Sequence, residues 1–278
     1  MSLEGLRVIS LESRRAAEIE LLIRKQGGEA FVAPSVRERA LSDNADAFRM
    51  LEHIEAGRFD LLILTTGVGL SFWKDVIGSR FPPERAERAL RSLNLLVRGP
   101  KPAAVLRASA IVPTVAVPEP NTWREVVETV AKRPERKLAL QEYGRPNAEF
   151  VEALRALGAS VETFALYRWE LPEDIGPLRA AVDRLAKRQA DIILFTSSIQ
   201  LEHLFQIAEE ENLVEQVRSA LREHIAIASI GPIMDKALAD YDFVPDIVPS
   251  SPKMGPLVYA AATEGHAALQ KKRARFAR

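Results

Sequence analysis

The chain contains no cysteine, which excludes a disulfide, a thiolate nucleophile and a Cys-ligated metal site. It also lacks an excess of either charge: 38 Lys and Arg stand against 38 Asp and Glu. General attraction to nucleic acid or an anionic membrane is therefore not expected, and any anion must be held locally. No apolar run approaches the length of a membrane helix. Met1-Ser2-Leu3-Glu4-Gly5 lacks the basic and then apolar order of a secretory signal, so a cytoplasmic location is expected. No Gly-x-Gly-x-x-Gly follows the first strand and no Gly-x-x-x-x-Gly-Lys-Ser/Thr occurs, so the backbone cradles for dinucleotides and P-loop nucleotides are missing. His53, His203, His224 and His266 stand singly, without a partner at metal-ligand spacing, and are expected as surface or half-buried residues. There is no Gly-x-Ser-x-Gly either, and hydroxyls without a matched histidine do not make a nucleophile.

What is present is a chain of 278 residues, 47% apolar and 27% charged, long enough for two ordinary soluble domains. "ADIILFTSSIQLEHLF", residues 190–205, shows how it is built. Ile192 to Phe195 has no polar alternation, as in a parallel strand covered on both faces. Leu201, Leu204, Phe205 and Ala208 then recur at helical spacing. The joint, Thr196-Ser197-Ser198, falls where a helix start either takes a serine cap or offers its N–H groups to an anion.

The unit repeats at an offset of about 130 residues. "DLLILTTGVGL" from Asp60 matches "DIILFTSSIQL" from Asp191, and "NLLVRGPKPAAVLRA" from Asn94 resembles "HIAIASIGPIMDKALAD" from His224. "LRVISLESRRAAEIELLIRKQGGEAFVAP" reads like "RKLALQEYGRPNAEFVEALRALGASVETF", each with a helix stopped by glycine, Gly27-Gly28 or Gly158. Repeated strand-helix units imply an α/β class of two doubly wound parallel-sheet domains. Residues 123–131 form a helical stretch within the Pro118 to Arg136 link, which therefore is no free linker. The basic tail, Lys271-Lys272-Arg273 with Arg275 and Arg278, is expected to be solvated and frayed.

Five groups fall at predicted strand ends: Thr65-Thr66-Gly67, Arg98-Gly99-Pro100-Lys101, Tyr143-Gly144-Arg145, Thr196-Ser197-Ser198 and Gly231-Pro232. Carboxyl ends of parallel strands line ligand crevices, and these residues are rich in donors. Amides, hydroxyls, Arg98, Lys101 and Arg145 together suit a ligand carrying several carboxylates or phosphates.

The order and spacing of these groups, with "VETFALYRW" and "IASIGPIMDKALADYDFVPDIVPSSPKMGPLV", resemble the uroporphyrinogen-III synthase family over almost the full chain. "TTGVGL", "VRGPKP" and "LYRWELPEDIGPL" look most like its bacterial branch. The resemblance implies two flavodoxin-like domains, residues 1–37 with 170–278 and residues 38–169, joined by two strands near Pro34 to Arg39 and Leu166 to Pro172, with substrate in the cleft between them. It implies cyclisation of hydroxymethylbilane to uroporphyrinogen III, with inversion of the last ring and loss of water, the work of a cyclising hydro-lyase in tetrapyrrole and heme biosynthesis. It implies no cofactor and no metal, a monomer, and no nucleic-acid or membrane partner. Tyr167 matches the family's tyrosine near the domain connection, implied to donate a proton or hydrogen bond to the departing hydroxyl; packing at the hinge is the other reading of that ring. Ser13 and Arg14 take the place of the family's first-strand loop residues.

The sequence departs from the family at three places. Ile233-Met234 follow Gly231-Pro232 where hydroxyls are frequent, Pro100 and Pro102 flank Lys101 and remove amide donors, and Glu12 brings a carboxylate to the first strand's end. These departures suggest a rival, a synthase-like regulatory protein that binds a tetrapyrrole or another polyanion. A two-domain solute-binding protein is the more distant alternative.

Overall fold

The computed structural model describes residues 2–40 and 44–276; Arg278 of the basic tail lies outside the described residues. In chain order, Arg7–Ser10 is β1, Ala16–Lys25 α1, Glu29–Val32 β2, Arg37–Ala40 β3, Ala45–Glu55 α2, Leu61–Leu64 β4, Gly67–Gly78 α3, Pro83–Arg91 α4 and Asn94–Val97 β5. Pro100–Ala108 is α5, Val115–Ala116 β6, Trp123–Ala131 α6, Lys137–Gln141 β7, Ala148–Ala156 α7, Ser160–Phe164 β8 and Tyr167–Glu170 β9. Gly176–Ala186 is α8, Ile192–Phe195 β10, Ser198–Glu210 α9, Val214–Glu223 α10, Ala226–Ser229 β11, Pro232–Asp240 α11 and Met254–Phe276 α12.

The chain divides into two compact units, residues 1–37 with 170–278 (unit 1) and residues 38–169 (unit 2). It passes from one to the other along β3 and back along β9, which pair in a sheet of two strands. Unit 1 holds a parallel sheet in the order β11-β10-β1-β2, and unit 2 a parallel sheet in the order β6-β5-β4-β7-β8. Both are covered on two faces, which the strands' burial shows directly. In β10, Ile193 and Phe195 enter one apolar cluster while Ile192 and Leu194 enter the other. In β4, Leu62 and Leu64 face one layer while Leu61 and Ile63 face the opposite one. Unbroken apolar runs are what two covered faces require, because successive side chains point to opposite sides.

The repeat and the units cut the chain differently. Counted from the edge, unit 1 reads β2-β1-β10-β11, with Ile247 bridged in parallel to Ala228 beyond β11, and unit 2 reads β8-β7-β4-β5-β6. Since β1 and β2 repeat as β7 and β8, and β4 and β5 as β10 and β11, the two sheets have one spatial order. Each takes its first strand-helix-strand from one copy of the repeat and the remainder from the other.

The aspartates that open the repeated strands explain part of the motif. The Asp191 carboxylate accepts from Arg7 N at 3.0 Å and Arg7 Nε at 2.9 Å, and from Arg273 at 2.7 Å. Asp60 accepts from Lys137 N at 3.1 Å. Each acid thus ties the amino end of a strand from one repeat copy to a strand from the other. The frayed tail is corrected here: α12 runs to Phe276, and Lys272 is 6% exposed, its ammonium donating to Ile225 O at 2.9 Å and Asp246 at 2.6 Å. An Asp partner and a carbonyl satisfy the buried cation, while its four-carbon stem covers apolar surface. Burial lowers the Lys272 pKa, and Asp246 opposes that shift.

Candidate functional site

Parallel pairing puts all the predicted strand-end residues of a unit on one edge of its sheet. In unit 2 that edge carries Thr65, Thr66 and Gly67 after β4, Arg98, Gly99 and Lys101 after β5, and Tyr143, Gly144 and Arg145 after β7. In unit 1 it carries Ser13 and Arg14 after β1, Thr196, Ser197 and Ser198 after β10, and Gly231 and Pro232 after β11. Tyr167 is not on either edge. It lies on β9, 1% exposed within the core of unit 2, its ring 6.0 Å from that of Phe72.

Many of the edge donors expected to meet a ligand are engaged within the protein. Gln141 Oε1 accepts from Thr65 N at 2.9 Å and Thr66 N at 3.0 Å. Gln200 Oε1 accepts from Thr196 N at 2.8 Å and Ser197 N at 3.3 Å. The two glutamines reach the same place from opposite sides: Gln141 ends β7, whereas Gln200 lies in the first turn of α9. Superposing the repeats sets Gly69 opposite Gln200 and Leu11 opposite Gln141. A Cβ on Gly69 would stand 2.2 Å from Gln141 Nε2, so the glycine leaves the space that the strand glutamine fills. The hydroxyls are committed too. Thr65 donates to Gln141 O at 3.0 Å, Thr66 caps α3 by accepting from Gly69 N at 3.1 Å, and Ser13 accepts from Ser35 N and Val36 N at 3.0 and 2.9 Å. Gly67 backs onto the Lys101 carbonyl, where α3 and α5 meet.

Glu12 does face the edge of unit 1, where it accepts from Thr196 Oγ1 at 2.6 Å and from Arg15 N at 3.2 Å. The protein's own carboxylate therefore occupies a helix-start anion position. Its counterpart in the other copy, Glu142, has its pKa raised by burial. His203 is not the surface or half-buried residue expected: it is 7% exposed, buried because its Nδ1 finds an acceptor in Ser35 O at 2.6 Å. Among the described residues, no three His, Asp or Glu are grouped to hold a metal ion.

The charged side chains among the predicted edge residues are all cationic, beside an exposed Tyr143 and Pro232. Arg14, Lys101 and Arg145 are exposed and Arg98 is half-buried. The Arg98 guanidinium lies 4.5 Å from the centroid of the Tyr143 ring, which meets Trp169 edge-on at 4.6 Å. Gln141, Gln200, His203 and Trp169 were the residues that sequence reasoning missed. The paired exchange of glycine and glutamine between repeat copies was a readable signal for the first two; nothing in the sequence marked the others.

The family described as "Uroporphyrinogen-III synthase HemD" matches residues 17–259. A Bacillus subtilis (strain 168) protein named "Uncharacterized protein YjjA" is 25% identical over 93% of this chain and 95% of its own. A Methanothermobacter thermautotrophicus protein named "Putative uroporphyrinogen-III synthase" is 27% identical over 82% of this chain and 86% of its own. In structure, a mutant uroporphyrinogen III synthase from the extremely thermophilic bacterium Thermus thermophilus shares the fold with a TM-score of 0.71, at 22% identity, over 96% of this chain and 100% of that one. Among the described residues, no helix is long and apolar enough to cross a membrane. With its two repeat copies exchanged between two parallel sheets, and the family's pattern running through most of its length, this chain belongs to the uroporphyrinogen-III synthase family.

Proposed function

We propose that the chain cyclises hydroxymethylbilane to uroporphyrinogen III. The observation that carries this reading, beside family membership, is the character of the strand-end edges: the Thr65, Thr66, Thr196 and Ser197 amides are engaged internally, and the charged groups among the predicted edge residues are Arg14, Arg98, Lys101 and Arg145. Such cations suit a flexible ligand with carboxylates distributed along it, because guanidinium pairs with carboxylate in two parallel hydrogen bonds. The protein's main contribution is to fix a folded conformation of the linear tetrapyrrole, and orientation alone contributes several kcal/mol.

In the reaction, the terminal C–O bond breaks and the hydroxyl leaves as water, carrying a proton from a donor. The substituted carbon of the last ring attacks the resulting azafulvene and forms a spiro intermediate. That intermediate breaks at its other bond and recloses with the ring inverted, and loss of a proton restores the aromatic pyrrole. Tyr167 is the proposed donor for the first step, and its 1% exposure in the core of unit 2 favours the rival reading of a packed ring. Tyr167→Phe keeps the ring that packs beside Phe72 and removes only the hydroxyl. It should lower turnover by about 10- to 100-fold, at or just below the low end of the roughly 100- to 10,000-fold typical of one general acid; an unchanged rate assigns the ring to packing. Purified protein given hydroxymethylbilane should yield isomer III. Tetrapyrrole binding with isomer I as the sole product would instead favour the regulatory reading, to which the Glu12 carboxylate at the unit 1 edge lends support.

A further inference from the structure

The cationic groups of the unit 2 edge are not equivalent. Arg98 follows β5 and Tyr143 follows β7, with β4 between these strands, so their backbones are separated by two strand spacings, roughly 10 Å. The arginine crosses the end of β4 to reach the Tyr143 ring at 4.5 Å. At its base it is anchored: Arg98 N donates to Leu64 O at 3.0 Å, and the Asn121 amide, oriented to satisfy both carbonyls, donates to Arg98 O at 2.8 Å and Val117 O at 3.0 Å. Among the described residues, no carboxylate pairs with its guanidinium. A guanidinium over a ring face keeps its in-plane N–H donors available to an anion while losing rotamer freedom.

The Tyr143 ring is held in turn. It is 40% exposed, and its free placement is restricted by the indole of Trp169, 4.6 Å away and nearly perpendicular. Gly144 makes the contact possible, since a Cβ there would stand 2.5 Å from the indole and its φ is +66°. Trp169 N also donates to Gly144 O at 3.3 Å. The order of support runs from indole to phenol to guanidinium, all within unit 2.

We infer that Arg98 binds a substrate carboxylate over the end of β4, and that Tyr143 and Trp169 are positioning residues that hold the guanidinium ready for it. This rests on the tetrapyrrole reading above and assigns Trp169 a part in affinity. The stack reduces the ordering that binding must otherwise impose on a long side chain.

The test is a double-mutant cycle on the full chain, read by binding of uroporphyrin III, an octacarboxylate whose fluorescence reports occupancy without turnover. Arg98→Gln should weaken binding about 10-fold, the loss of one charge-assisted hydrogen bond at a half-buried site. Tyr143→Leu should weaken it about 3-fold and Tyr143→Phe should recover most of that loss, because the ring face supplies the contact. Trp169→Phe should fall between them. In the Arg98→Gln background, Tyr143→Leu should add nothing, and with hydroxymethylbilane the single variants should raise KM more than they lower kcat. Equal effects of Tyr143→Leu in both backgrounds, or Arg98→Gln binding as tightly as the unsubstituted protein, overturn the proposal. Unsubstituted protein that neither binds uroporphyrin III nor forms isomer III removes the tetrapyrrole reading itself, and this proposal with it.

Discussion

Asp191 shows how one residue can serve as a joint for the whole repeat. Its carboxylate is nearly buried; burial pushes its pKa up, but the hydrogen bonds from Arg7 and Arg273 outweigh this and hold it at about 2. A carboxyl held below its unfolded value near 3.9 contributes its full stability above that value and loses it as pH falls towards 2. The contribution is on the order of 2 kcal/mol. Asp191→Asn should therefore lower the urea unfolding free energy at pH 7 by about that amount or more, since the two arginines lose their partner. Near pH 2 the two proteins should converge. A constant difference across that range would mean the carboxylate's charge has no part in holding the strands. At this scale the sequence disclosed the acid, repeated at Asp60, but not its arginines, which come from distant segments.

At the scale of the element, the strand end and the helix start form one polar unit in which a glutamine amide satisfies two backbone N–H groups. Gln141→Leu leaves the Thr65 and Thr66 amides buried without that acceptor, a loss of about 2–4 kcal/mol. Gly69→Gln places a side chain where Gln141 already sits. The two changes together rebuild in unit 2 the arrangement of Leu11 and Gln200 in unit 1, so the double variant should be more stable than either single one by thermal or urea unfolding. Additive losses would show that the glutamines are not equivalent. The elements themselves were legible because apolar periodicity is a local property: the helix at 123–131 and the strand at 192–195 stand where the residue pattern put them. The fate of the edge hydroxyls was not. Whether Thr196 faces a ligand or Glu12 depends on a contact across 184 positions of chain, and no local pattern encodes that. The tail failed for the same reason, since Asp246 and Ile225 cover Lys272 only in the folded unit.

For the molecule as a whole, exchange of repeat copies predicts which pieces fold. Residues 38–169 contain every strand of the sheet β6-β5-β4-β7-β8 in one continuous segment, and should unfold cooperatively when expressed alone. A first-repeat fragment, residues 1–133, carries β1 and β2 without β10, and β4 without β7. It should remain largely unfolded by circular dichroism and hydrogen exchange, and a cooperative transition from it would contradict the exchanged topology. The same exchange leaves in both units a helix start held by a glutamine, with Arg14 exposed on one strand-end edge and Lys101 and Arg145 on the other, and on these cations the proposed chemistry depends. The most direct test is the isomer composition formed from hydroxymethylbilane as protein concentration rises against the spontaneous reaction. Isomer III is expected to rise to nearly all of the product; isomer I persisting at every protein concentration would overturn the assignment of this chain as a cyclising enzyme.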